Sequence, residues 1–149
     1  MLIVGIDTSG RNGSLALAEG DDHGFRSLEL APLASGMYSA QLIPLLKELL
    51  ARHGFDKSAM EAFAVVTGPG SFTGLRVGLS TVKALAEISG KPVAAISSLE
   101  LSAFSANDGG HVIAALDAGR GQVFLGEYQI GGGGSLMVRE WLATMEELI

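Results

Sequence analysis

Apolar residues in this chain recur with two periods, and the points where the period changes divide it into elements. Residues 2–7 form a short apolar run closing on Asp7-Thr8-Ser9-Gly10, and residues 14–19 alternate Leu15 and Leu17 against small side chains. These two predict a hairpin around residues 10–13. Residues 24–30 supply a third strand, and the stretch from Pro32 to Gly36 breaks the pattern. From Tyr38 to His53 the period becomes helical, with Leu42, Leu45, Leu46, Leu49 and Leu50 on neighbouring turns and Lys47, Glu48 and Arg52 elsewhere. Together with Ile43, those leucines cover an arc of roughly 160°, wider than a core-facing stripe needs. Part of that face is therefore predicted to serve a partner.

Residues 61–67, with an unbroken apolar run over 62–66, read as a strand buried on both faces, and a glycine-rich segment leads from them into a helix over residues 73–89. Residues 92–96 read as another buried strand. Ser97 or Ser98 is placed to cap a helix over residues 99–106, with Leu101 and Phe104 spaced for one face. The order to this point is βββαβαβα. From His111 the pattern restarts with a strand ending in Asp117-Ala118-Gly119-Arg120-Gly121, a returning strand over residues 122–130 and a run of four glycines suited to a hairpin connection. A strand over residues 135–142 and the start of a helix over residues 143–149 follow. Both segments open with a strand, an Asp at its end, a small-residue turn and a returning strand. The prediction is an α/β chain with a first lobe over residues 1–107 and an incomplete second, related lobe over residues 108–149.

Composition narrows the chemistry. The 149 residues, 48% hydrophobic, suit one domain or two small lobes. The absence of cysteine excludes disulfides, thiolate metal sites and cysteine nucleophiles. With 10 Lys and Arg against 16 Asp and Glu, the net charge of -6 argues against a broad nucleic-acid surface, so any role on RNA is expected to run through a partner. No stretch approaches the roughly eighteen apolar residues of a membrane span, and the first residues carry no basic leader. A cytoplasmic protein without membrane contact is expected. His23, His53 and His111 lack the H-x-x-x-H spacing of a helical metal site and are read as surface residues. No G-x-S-x-G elbow is present, and Ser71 has no evident base. No catalytic or metal-ligating residue is predicted.

The segment Gly68-Pro69-Gly70-Ser71-Phe72-Thr73-Gly74-Leu75-Arg76 carries the most information. A strand, a glycine loop and a helix N-terminus can gather unpaired amides around an anion, which would draw on Gly70 and Ser71. Neither the G-x-x-x-x-G-K-[ST] nor the G-x-G-x-x-G spacing is present, so a tight turn with close helix packing ranks ahead of phosphate binding. Gly74 and Gly78, one turn apart, let another backbone approach, either at an interface or within the fold. Asp7, followed by Thr8 and Ser9, and Asp117 end the strands that open the two segments. Such residues either face a nucleotide cleft and hold a hydrated metal, or serve as turn residues.

Taken together, Gly5-Ile6-Asp7-Thr8-Ser9, the segment from Gly68 through Gly78, and Ala115-Leu116-Asp117-Ala118-Gly119-Arg120-Gly121-Gln122-Val123-Phe124 resemble the TsaB (YeaZ) family over essentially the whole chain. That family is related to the peptidase M22 glycoproteases and to the ASKHA fold of sugar kinases, Hsp70 and actin. The resemblance implies an ASKHA-type mixed sheet flanked by helices. It also implies a non-catalytic subunit of tRNA threonylcarbamoyladenosine modification, partnered by a TsaD-like catalytic paralogue and a TsaE-like ATPase, homodimeric in isolation and meeting tRNA only through the complex. The implied contact surface lies on the first two helices, at Ala40, Ile43, Leu46, Leu50, Gly74, Val77, Gly78, Thr81 and Leu85. The alternative is a nucleotide-binding ASKHA enzyme, an ATPase or an M22 glycoprotease-like protein, with ATP or ADP and Mg at a partner interface. The chain departs from the family pattern at Tyr38-Ser39, where many relatives carry His-Ser or His-Thr.

Overall fold

The strand Leu2–Asp7 (β1) buries Leu2, Val4 and Ile6 and leaves Ile3, Gly5 and Asp7 half-covered, the period of two that alternation demands. This computed structural model describes residues 1–106 and 109–148. Gly13–Asp21 (β2) returns antiparallel to β1, with Asp7 opposite Ser14, and Gly24–Leu33 (β3) continues the meander. Tyr38–Arg52 (α1) then crosses to Met60–Gly68 (β4), which runs parallel to β1 with Ile3 beside Ala62 and Ile6 beside Val65. Phe72–Ser89 (α2) leads to Val93–Ser97 (β5), completing a sheet of order β3-β2-β1-β4-β5.

One face of this sheet is packed by both helices. Leu42, Leu46, Leu49 and Leu50 of α1 and Val82 of α2 share a core with Val4, Ile6, Leu15, Leu17 and Phe63. Glu29 of β3 fixes the end of α1, accepting from Arg52 at 3.0 Å and meeting His53 Nε2 at 2.8 Å. One reading in this sheet needs correction. The stretch read as a buried strand over residues 92–96 is β5, whose Val93 is 45% exposed, because it is the outermost strand of the sheet. Its apolar run resembles that of β4, but β4 lies between two neighbours.

The chain divides into two compact units, Met1–Thr67 with Ser71–Ala95, and Gly68–Gly70 with Ile96–Ile149. The boundary expected between residues 107 and 108 lies outside the described residues. In the second unit Ser98–Phe104 (α3) covers a three-stranded antiparallel sheet of Gly110–Gly119 (β6), Gln122–Gly131 (β7) and Gly134–Thr144 (β8), in the order β6-β7-β8. Here α3 presents Leu99 and Ala103 to Ala114, Tyr128 and Ile130, whereas Leu101 and Phe104, expected on the packed face, are exposed. The spacing fits either face; a Cβ on Gly126 would come 2.6 Å from the Tyr128 ring and 3.1 Å from Leu99 Cβ, so this glycine leaves room for the packed face of α3. The expected terminal helix is instead the end of β8 followed by a 3-10 turn, Met145–Leu148. Pairing of Gln122 with Thr144 and a bond from Met145 N to Gly121 O at 3.0 Å hold the chain extended up to that turn. Ile149 lies outside the described residues.

The two units repeat one another more closely than their residues suggest. The β2–β3 ladder pairs Asp21 with Gly24, Gly20 with Phe25 and Leu17 with Glu29. The β7–β8 ladder pairs Gly131 with Gly134, Ile130 with Ser135 and Glu127 with Arg139. Every pair of the first ladder recurs in the second displaced by 110 residues (21 to 131, 24 to 134), and the register shift falls at the same step, after Leu17 and after Glu127. The glycine run forms the tip of the second hairpin, with Gly132 and Gly133 both at positive φ, as a two-residue turn of this hand requires. Among the described residues no helix is long and apolar enough to cross a membrane.

Candidate functional site

The segment after β1 and the start of α2 meet in the first unit. Asp7 Oδ1 accepts from Ser9 N at 2.8 Å and from Ser9 Oγ at 2.6 Å, closing an Asx turn. Ser9 O in turn accepts from Ser71 N at 2.6 Å. Ser71 caps α2, its Oγ accepting from Gly74 N at 3.3 Å. Thr8 is buried and its Oγ1 donates to Gly74 O at 2.8 Å. A Cβ on Gly74 would come closer than 3.0 Å to Thr8 O, and one on Gly78 equally close to Thr8 Oγ1. The two glycines therefore admit the end of β1 against the helix backbone.

Tyr38 closes the other side of this turn. Its hydroxyl donates to the carbonyls of Gly10 and Arg11, shared between them at 2.7 and 2.9 Å. Burial first, and then the negative charge of Asp7, hold this hydroxyl above the usual tyrosine value of 10.0, against a backbone hydrogen bond at Gly13 that lowers it. A Cβ on Gly13 would lie 2.7 Å from the Tyr38 ring, so this glycine is needed to seat the aromatic here. Thr8 Oγ1 and Ser71 Oγ are thus engaged with the Gly74 backbone, and Ser9 with one oxygen of Asp7 and with Ser71 N. Gly68, at positive φ, and the cis Gly68–Pro69 bond precede the cap.

Asp117 repeats the turn chemistry in the second unit, where its Oδ1 accepts from Gly119 N at 2.7 Å. Gly119, Arg120 and Gly121 all have positive φ. Asp7 and Asp117 thus occupy equivalent places in separate units, each as the acceptor of its own turn. Among the described residues no group of three His, Asp or Glu side chains is arranged to hold a metal ion. In the second unit Ser97 caps α3, accepting from Leu99 N at 3.2 Å, and donates to Glu140 Oε1 at 2.7 Å. The same oxygen accepts from the Tyr128 hydroxyl.

The residues expected to meet a partner separate into three groups. Leu46, Leu50, Gly74 and Gly78 are buried in the first unit's own core; Val77, Thr81 and Leu85 are half-buried; Ala40 and Ile43 face solvent. The outward face of α2 is formed by residues that sequence reasoning passed over. Phe72 is 67% exposed and Leu79 36% exposed, with Arg76 3.9 Å above the Phe72 ring and Lys83 one turn further on. Their spacing, 72, 76, 79 and 83, is itself helical. That spacing is legible in the sequence, opposite the face marked by Gly74 and Gly78. On α1, Ile43 is 36% exposed beside Ala40 and Lys47.

The family described as TsaD, tRNA N6-adenosine threonylcarbamoyltransferase, matches residues 32–149. The chain is 31% identical over 156 residues to the tRNA threonylcarbamoyladenosine biosynthesis protein TsaB of Bacillus subtilis, covering 99% of this chain and 67% of that protein. It is 33% identical over 132 residues to the protein of the same name in Escherichia coli, covering 87% of this chain and 55% of that one. Its fold is similar to that of YeaZ from Pseudomonas aeruginosa, with a TM-score of 0.82 at 30% identity over 97% of this chain and 69% of the other. The chain thus spans between about half and two thirds of the length of the two curated relatives.

Proposed function

The chain belongs to the TsaB (YeaZ) family of tRNA threonylcarbamoyladenosine biosynthesis proteins, and from that premise we propose that it is a non-catalytic assembly subunit. It holds a TsaD-type threonylcarbamoyltransferase through the outward face of α1 and α2. The observation that carries this reading is the exposed apolar set Ile43, Phe72 and Leu79 on two helices whose opposite faces already fill the core. Exposed large apolar side chains outside a satisfied core are available to an interaction surface. Arg76 and Lys83 flank the set on α2 and favour an acidic rim on the partner.

The inward use of Thr8, Ser9 and Ser71 supports the non-catalytic part of the reading, because these groups brace α2 rather than converge on a cleft. In the absence of the transferase the same helix face is the surface for self-association. A TsaE-type ATPase joins through the assembled pair, and tRNA is engaged through the partner, in keeping with the net charge of -6. A cytoplasmic setting follows from the pathway.

The test is co-purification with a TsaD-type protein after Ile43→Glu and Leu79→Glu are introduced together. Both positions are exposed, so folding is retained, and the partner should no longer co-purify. Undiminished co-purification by a folded double variant would remove this surface from the proposal. Leu46→Glu or Gly78→Leu could not serve, since either disrupts the core of the first unit.

A further inference from the structure

The arginines of the first unit are engaged, with one exception. Arg26 meets Glu19 at 2.8 Å, Arg52 meets Glu29 at 3.0 Å, and Arg76 lies 3.9 Å above the Phe72 ring. Arg11 is exposed between β1 and β2 and makes neither an ion pair nor a ring contact among the described residues. Asp7, the carboxylate of the same turn, bonds to Ser9 instead.

The backbone that carries Arg11 is held from two sides. The Tyr38 hydroxyl, at the start of α1, donates to Gly10 O at 2.7 Å and to Arg11 O at 2.9 Å. The Ser71 amide, at the cap of α2, donates to Ser9 O at 2.6 Å. Residues 9–11 therefore lie across the N-terminal ends of both helices, where Phe72 follows the cap directly and Arg76 stands over its ring. Arg11, Arg76 and Lys83, all exposed, continue one sign of charge from this turn along α2.

We propose that Arg11 is the charged anchor of the helix surface: it pairs with a carboxylate of the protein that docks on α1 and α2, and Tyr38 is the positioning residue that holds it for that pairing. The inference rests on the reading of α1 and α2 as the partner surface. A guanidinium offers a carboxylate two parallel N–H donors. A charge carried on a turn already held in one geometry loses less freedom on binding than one on a loose loop. Facing an acidic rim, it adds to the selection made by Arg76 and Lys83.

The test is calorimetric titration of the full chain with a TsaD-type protein. Arg11→Ala should weaken binding about tenfold and Arg11→Glu further, with the thermal midpoint of the free chain retained because the side chain is in solvent. Tyr38→Phe keeps the ring against Gly13 and Gly74 and removes only the hydroxyl. It should weaken binding about threefold in the unaltered chain and leave the Arg11→Ala chain unchanged, the non-additivity expected of a residue that acts through another. Additive losses, or unchanged affinity in Arg11→Glu, would overturn the proposal. The second result would leave the α1–α2 reading standing if the Ile43→Glu, Leu79→Glu double variant still fails to bind. No binding by the unaltered chain would overturn that reading and this inference together. An Arg11 effect seen only with tRNA present would assign the guanidinium to a phosphate, and would overturn the carboxylate pairing.

Discussion

Thr8 is buried between two glycines of α2, and its Oγ1 reaches Gly74 O at 2.8 Å. That contact decides the sign of a substitution that helix propensity alone would misjudge. Replacing glycine by alanine inside a helix gains about 1 kcal/mol. At Gly78 the new methyl would fall within 3.0 Å of Thr8 Oγ1, and overpacking of this kind costs about 3 kcal/mol. Gly78→Ala should therefore lose about 2 kcal/mol in urea unfolding, and Gly74→Ala more, since its methyl meets a backbone carbonyl. A stabilised Gly78→Ala would show that β1 does not approach the helix this closely. The sequence marked both glycines as sites of close approach. Their partner, a threonine 66 residues away from Gly74, was not legible, because nothing in local spacing couples the residue after β1 to the first two turns of α2.

At the level of elements, Tyr128 links three of them: it stands on β7, bonds to Glu140 of β8 and lies beside Ser97, the cap of α3. Burial first, and the hydrogen bond to the Glu140 carboxylate next, push its hydroxyl from 10.0 up to about 12. A group whose value is raised on folding stabilises fully below its unfolded value and loses that contribution as pH rises through the folded one. Stability should therefore fall between pH 10.0 and about 12. In Tyr128→Phe the fall should be shallower, leaving the part due to Tyr38, and tyrosinate absorbance should show the late-ionising group removed. An equally steep fall in the variant would place the titrating group elsewhere. The elements themselves were largely readable: α1, β4, α2, β6 and β7 lie within a few residues of their expected bounds, because each has a strong period and a glycine, serine or proline boundary. The outward set Phe72, Arg76, Leu79 and Lys83 has just as regular a spacing. Which face of α2 is outward depends on where Gly74 and Gly78 dock.

For the whole molecule, the helix surface makes a thermodynamic prediction that co-purification does not. A partner that binds only the folded chain stabilises it by about 2.7 kcal/mol at a hundredfold excess over its dissociation constant. Thermal unfolding of this chain with a TsaD-type partner should show that increment. The Ile43→Glu, Leu79→Glu double variant should lose it while its own stability moves by no more than about 0.5 kcal/mol per site, as expected of exposed positions. Loss of intrinsic stability by much more would mean that the two side chains belong to the core.

By itself the sequence determined the family, the order of elements up to the last strand, and the Gly68-to-Arg76 segment as a tight turn into a closely packed helix, because each is written in residues adjacent along the chain; that Asp7 and Asp117 serve as turn acceptors was settled between two readings only by the structure. The tertiary structure decided which apolar residues are outside. Leu46 and Leu50 went to the core and Ile43, Phe72 and Leu79 to the surface, although all five are apolar residues on the first two helices. Burial depends on what the other elements supply, and periodicity records only that a face exists. The exact 110-residue repeat of the two hairpin ladders belongs to the same class: hydrogen bonding along the backbone preserves a register that the side chains do not spell out.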